Sequence, residues 1–176
     1  DRDVIALTES IVARAQGNYA TVEAIAKDIK DKFPEGEIGL IFPILSRNRF
    51  SIMLKGIAMG VKKIYLMLSY PSDEVGNALI TYDDIDEKGV NPYTDVLTLK
   101  QYRDLFGYKK HEFTGMDYVA YYQELVEAAG AEIEIIFGNN AKTILNYTKH
   151  VLVCDIHTRQ RSKRILKNNG AETVYG

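Results

Sequence analysis

Four apolar runs of strand length, 37–43, 63–69, 132–137 and 151–156, are separated by stretches with helical spacing, and this alternation constrains the fold more than any other feature of the chain. Strands joined through helices of about ten residues need crossover connections, so the strands must lie largely parallel and the helices must cover them. The expected fold class is α/β, with α+β as the alternative: three layers around a mostly parallel or mixed sheet of about six strands. Residues 4–8 (VIALT) and 173–175 supply the fifth and sixth strands. The helices fall at Ile11 to Gly17, at 22–33 behind the cap Thr21, at 50–59, 99–106, 117–129, 140–147 and 158–168. On the helix at 117–129, Tyr118, Tyr121 and Tyr122 form a core or subunit-contact stripe.

The stretch 70–98 breaks the pattern. It holds Pro71, Gly76, Gly89, Pro92 and an acidic run from Asp83 to Glu87, and it reads as one long loop. Loops of that length in compact domains are usually functional or disordered.

A chain of 176 residues with 46% hydrophobic content fills one core, so residues 1–176 are expected to form a single domain. A net charge of −2 excludes a general nucleic-acid binder, whose phosphate contacts demand a strongly basic face. No apolar run approaches a membrane span and no signal peptide is visible. With Cys154 as the only cysteine no intrachain disulfide forms, and the reading is cytoplasmic. The chain starts without methionine and stops at Val174-Tyr175-Gly176, so both ends read as cuts and the chain as a fragment of a longer protein.

Two strand-to-helix junctions carry paired arginines. After the strand at 37–43 come Ser46-Arg47-Asn48-Arg49; after 151–156 come His157-Thr158-Arg159-Gln160-Arg161, with Asp155 at the strand end. Such junctions lie at the carboxyl edge of an α/β sheet, where helix N-termini offer free N–H groups and guanidinium groups grip phosphate or carboxylate. Anions are the first ligand class, and solvated arginines are the alternative. Asp155 suits a hard cation such as Mg²⁺ or Mn²⁺ shared with phosphate, or serves as an ordinary helix cap. Asp73 and Glu74 are a second pair of candidate metal carboxylates, or else the acidic first turn of a helix. Neither a P-loop nor a Gly-x-Gly-x-x-Gly pattern occurs, and the histidines lack zinc spacing.

The opening Asp3-Val4-Ile5-Ala6-Leu7-Thr8-Glu9-Ser10-Ile11-Val12-Ala13-Arg14-Ala15-Gln16-Gly17 resembles the first strand and helix of the coenzyme F420-0:L-glutamate ligase family. Phe42 to Phe50, Leu68 to Asn77 and Val153 to Arg159 are similar to a divergent bacterial branch under the same family name. The resemblance implies a GTP- and divalent-metal-dependent ligase that forms a γ-linked amide between L-glutamate and a small-molecule carboxylate through an acyl phosphate. It further implies an intertwined homodimer. Asp155 and Arg159 match the family's Asp-x-x-x-Arg, so Asp155 carries over as metal ligand and both as catalytic residues. Ser46, Arg47, Asn48, Arg49 and Arg161 are the expected nucleotide or anion contacts. Ala13 and Gln16 stand where the family has Ser and Glu, which motivates the alternative of a nucleotide- or anion-binding sensory domain without ligase activity.

Overall fold

The computed structural model describes residues 2–176. Its sheet has six strands: β1 (Glu37–Ile41), β2 (Lys63–Leu68), β3 (Leu97–Thr98), β4 (Glu132–Phe137), β5 (His150–Val153) and β6 (Thr173–Tyr175). Their spatial order is β3-β4-β2-β1-β5-β6, and only the β3–β4 pairing is antiparallel. Taken alone, the five parallel strands run third, second, first, fourth, fifth in chain order, a doubly wound arrangement. The chain starts at β1 in the middle, winds outward one way, then returns to wind the other way.

The helices are α1 (Glu9–Ala15), α2 (Val22–Lys32), α3 (Phe50–Gly60), α4 (Tyr82–Lys88), α5 (Leu99–Phe106), α6 (Tyr118–Ala128) and α7 (Arg159–Asn168), with a 3-10 segment at Ala141–Asn146. Strand alternation divides the core in two. Ile38, Leu40, Ile64, Leu66, Ile135 and Phe137 face α2, α3, α5 and α6. The neighbouring residues Ile41, Met67, Ile136, Val151 and Val153 face the 3-10 segment and α7. Because both faces are covered, the parallel strands read as continuous apolar runs. Tyr118 and Tyr122 are buried in the first of these layers, so that stripe is core.

Local chemistry explains the helix starts. Thr21 and Asp117 accept hydrogen bonds from Ala24 N–H and Ala120 N–H. Thr81 with Asp84 and Thr98 with Gln101 form complete capping boxes. On α3, Gly56 and Gly60 sit one turn apart against α2: a Cβ on Gly60 would lie 2.5 Å from the Ala26 carbonyl oxygen. The two glycines therefore set the distance between α2 and α3.

Three expectations are corrected. Residues 4–8 form no strand: Val4 is 92% and Leu7 74% exposed, and α1 behind them buries no residue. β1, the strand that follows this segment in the chain, is flanked on both sides by β2 and β5, so strand propensity in the segment finds no open place beside it. The sixth strand comes instead from within 70–98, where β3 starts and α4 forms behind the Thr81 cap, so this stretch is not one loop. Finally, the segment at 140–147 closes as a 3-10 helix, its Ile144 side chain lying where a Cβ on Gly39 would otherwise sit.

Gly60→Ala is expected to lower the unfolding free energy by about 1–3 kcal/mol, the usual cost of overpacking. Urea denaturation followed by circular dichroism measures it.

Candidate active site

In doubly wound sheets the ligand crevice opens beyond the carboxyl ends of the strands, where the winding reverses. Here the reversal lies between β1 and β5. Ile41 is paired with Val153, and Cys154 N–H donates to the Ile41 carbonyl at 3.0 Å. The two arginine-bearing junctions thus leave the sheet side by side. A cleft of about 940 Å³ opens at this edge, and its floor comes from the ends of four strands: Phe42 after β1, Ser69–Glu74 after β2, Asn139–Lys142 after β4 and Asp155 after β5. α7 contributes Arg161 and Arg164 to the lining, and the stretch after β2 contributes Tyr82, Pro92 and Tyr93.

Asp155 is 1% exposed. Its Oδ2 accepts from the Thr158 hydroxyl and, at 2.9 Å, from the Ser162 hydroxyl. Its Oδ1 is buried with no hydrogen-bond partner among the described residues. A buried carboxylate oxygen left without a donor is costly, and such an atom calls for a cation or donor from outside the chain. Arg159 stands behind it: Nε donates to the Asp155 carbonyl at 2.9 Å, which fixes the backbone from which the carboxylate projects. Arg159 is not among the cleft-lining residues, whereas Arg161 is.

The dipeptide Asp73-Glu74 ties the corners together. Asp73 is buried and accepts four hydrogen bonds: Leu45 N–H and Asn77 Nδ2 on Oδ2, Val75 N–H and Asn77 N–H on Oδ1. Glu74 accepts from the N–H groups of Ile156 and His157. One carboxylate therefore holds the corner after β1 and the next holds the corner after β5. No helix begins at this pair; the turn closes through Asp73 instead. Both residues line the same cleft as Asp155, but no group of three His, Cys, Asp or Glu side chains among the described residues converges on one point.

The first arginine junction takes a different course. Ser46 N–H donates to the buried Tyr122 hydroxyl at 2.8 Å, and Ser46 Oγ accepts from Arg49 N–H at 3.1 Å as the chain turns into α3. Arg47, Asn48 and Arg49 are exposed, and none of residues 46–49 lines the cleft. The strands bring the two corners together, while α3 and α7 depart on opposite faces of the sheet.

Phe42 was not singled out by sequence reasoning. It has φ of +55°, a left-handed conformation that a bulky L-residue adopts at a cost of roughly 1–2 kcal/mol, and it lines the cleft where β1 ends. Asn139 also escaped notice. Its side chain accepts from Tyr70 N–H at 3.2 Å and donates to the carbonyls of Tyr70 and Pro92, so that the segment 91–95 is bound to the sheet edge. Neither has a sequence signature, since both depend on contacts between distant segments. Cys154, beside Asp155, has its thiol pushed up to about 12 by burial and stays protonated at neutral pH.

These features define a doubly wound α/β protein with a polar cleft at its switch point, a half-satisfied buried aspartate in the floor and an arginine wall. The chain belongs to the F420-0:Gamma-glutamyl ligase family, whose model matches residues 1–172. It is thereby a member of a family of ligases that act on small molecules. No curated protein and no solved structure matches the chain. Among the described residues no helix is long and apolar enough to cross a membrane.

Two outcomes check the geometry. Glu74→Ala should leave the fold intact but cost about 0.5–1.5 kcal/mol, the usual net worth of a hydrogen bond, and hydrogen exchange at Ile156 and His157 should quicken. The Asp84 carboxyl is held down at about 2, first by its hydrogen bond to Lys109 and then by the Thr81 cap. A depressed carboxyl stabilises the fold above its unfolded value of about 4, and that contribution disappears as pH falls from about 4 toward 2. The melting-temperature gap between wild type and Asp84→Asn is therefore expected to be largest at pH 5–7 and to close toward pH 2.

Proposed function

We propose that the protein is a GTP- and divalent-metal-dependent γ-glutamyl ligase and that the cleft at the β1/β5 reversal is where it works. The observation that carries this reading is the Asp155 carboxylate, buried with one oxygen unpartnered in the floor of a cleft walled by arginine. The donor set fits Mg²⁺ or Mn²⁺ held jointly with a nucleotide, because such ions commonly take one or two protein carboxylates and draw their other ligands from phosphate and water. Asp155 would hold the ion, with Asp73 and Glu74 nearby; Asp73 already spends its lone pairs on four donors. When bound, the ion neutralises charge on the transferring phosphoryl group.

The chain's own residues do the rest. Arg161 faces the cleft, and its guanidinium is engaged by no hydrogen bond or ion pair among the described residues, so it is available to phosphate oxygens. Arg159 is a positioning residue through the Asp155 carbonyl, and its terminal NH₂ groups remain for an anion. Ser46, Arg47, Asn48 and Arg49, outside the cleft lining, would reach the ligand only at the far side of the β1 corner, where two guanidinium groups with no ion-pair partner among the described residues attract anions over a distance. In the reaction a carboxylate oxygen of the acceptor attacks the γ-phosphorus of GTP and GDP leaves. The amine of L-glutamate then attacks the acyl carbon of the mixed anhydride, phosphate leaves, and the amine gives up its proton as the amide forms. Glu74, next to the cleft and partnered only by backbone N–H groups, is the carboxylate best placed to take that proton. A cytoplasmic homodimer fits this soluble, small-molecule chemistry.

Titration calorimetry with GTP and Mn²⁺ should show binding by the wild type, at least ten-fold weaker binding by Arg161→Ala, and loss of the Mn²⁺ dependence in Asp155→Asn. Mass spectrometry after incubation with GTP, L-glutamate and a carboxylate acceptor should then show amide and GDP. Binding without amide would favour the sensory alternative. Absence of binding by the wild type would remove the nucleotide reading.

A further inference from the structure

Thr158 and Ser162 each carry one hydroxyl proton, and both protons go to the same oxygen of Asp155. Thr158 Oγ1 donates to Oδ2, Ser162 Oγ donates to Oδ2 at 2.9 Å, and Oδ1 is left buried with no hydrogen-bond partner among the described residues. All three residues line the cleft. A carboxylate oxygen offers about two lone-pair sites, so two donors saturate Oδ2 while Oδ1 keeps both of its own.

The first turn of α7 is arranged for this division. Thr158 is the N-cap of the helix, yet its side chain makes no cap hydrogen bond; the hydroxyl, which in that place commonly accepts an N–H of the first turn, is engaged with Asp155 instead. Ser162 stands one turn further on, its N–H bonded to the Thr158 carbonyl at 3.0 Å, so the two hydroxyls share one face of the helix. Within helices serine often donates to the carbonyl four residues back, but this buried hydroxyl donates to Asp155. The main chain of Asp155 is held as well, by Arg159 Nε on its carbonyl at 2.9 Å. The carboxylate cannot turn to present both oxygens without breaking two hydrogen bonds.

The other acids of the cleft add few free oxygens. Asp73 accepts four hydrogen bonds, and each oxygen of Glu74 accepts one from a backbone N–H. Ca²⁺ takes about six to eight oxygen ligands and readily uses both oxygens of a carboxylate, whereas Mg²⁺ is strictly octahedral, needs only one or two carboxylates and keeps several waters. A floor that offers one free carboxylate oxygen suits the smaller ion.

We infer that Thr158 and Ser162 are specificity-determining residues for the cation: by saturating Oδ2 they confine Asp155 to binding through one oxygen, and so select a small octahedral ion such as Mg²⁺ against Ca²⁺. The inference deepens the reading of Asp155 as the cation ligand and rests on it. Both hydroxyls act through Asp155 and are positioning residues. Without them Oδ2 is released, and the larger ion gains a second contact that the smaller one has little use for.

The test is calorimetric titration of the intact protein with Mg²⁺ and with Ca²⁺, each alone and each as its GTP complex, with folding followed by circular dichroism. The wild type should prefer Mg²⁺ in at least one of the two forms, and in T158A/S162A the ratio of the Ca²⁺ to the Mg²⁺ dissociation constant should shrink roughly ten-fold, the low end of what the hydrogen-bond partners of a metal-binding side chain contribute. T158S, which keeps the hydroxyl, should hold the wild-type ratio. Thr158 is exposed, so T158A folds even where the double variant does not, and it should shrink the ratio about three-fold, half of the full effect on a logarithmic scale. A merely structural role would weaken both cations in step. That outcome, an unchanged ratio, or a wild type that binds Ca²⁺ as tightly as Mg²⁺ overturns the inference and leaves Asp155 as a cation ligand. If neither cation binds the wild type in either form, or Asp155→Asn binds both as the wild type does, the cation reading itself falls and the inference falls with it.

Discussion

Two adjacent carboxylates, Asp73 and Glu74, hold the cleft edge of this protein together. The corner after β1 and the corner after β5 emerge as backbone with unpaired N–H groups, and such groups at a sheet edge drift apart unless something bridges them. Asp73 takes the Leu45 N–H and Glu74 takes those of Ile156 and His157, so a single dipeptide after β2 sets the spacing of both neighbours. These hydrogen bonds join the loop after β2 to both neighbouring corners.

Asp155 depends on that frame. Its backbone is held by Arg159 and one of its oxygens by two hydroxyls, while the other oxygen is buried and unpaired. A fold selected for stability alone would satisfy or remove that atom, since a buried polar atom without a partner is destabilising. The same holds for Phe42, which keeps a left-handed backbone at the end of β1. Two local costs thus fall within one cleft.

Much of the scaffold was legible in the residues. The apolar runs that became β1, β2, β4 and β5 are continuous because both faces of a parallel sheet are dry, and the cap at Thr21 and the helical face behind it follow from short-range sterics and hydrogen bonding. Thr81 was nevertheless overlooked as a cap, and α4 was hidden in an acidic stretch whose Asp84 serves the capping box. The run Val4 to Leu7 shows the converse error. Propensity states what a segment prefers, and a strand also requires a neighbour with unpaired backbone at the right place.

The candidate site divides along the same line. That Asp155 and the arginines around it would sit at strand ends followed from the alternation of strand and helix, because junctions of that kind always fall at the carboxyl edge of a parallel sheet. Which arginines share the cleft could not follow from it. Arg47 and Arg49 leave on one face with α3 and Arg161 on the other with α7, and Arg164, Asn139, Tyr82 and Tyr93 join the cleft only through contacts between segments tens of residues apart. Local chemistry acts over three or four residues and is written in the chain. The direction in which a helix leaves the sheet is settled by how two apolar faces pack, and that exists only once the whole chain has folded.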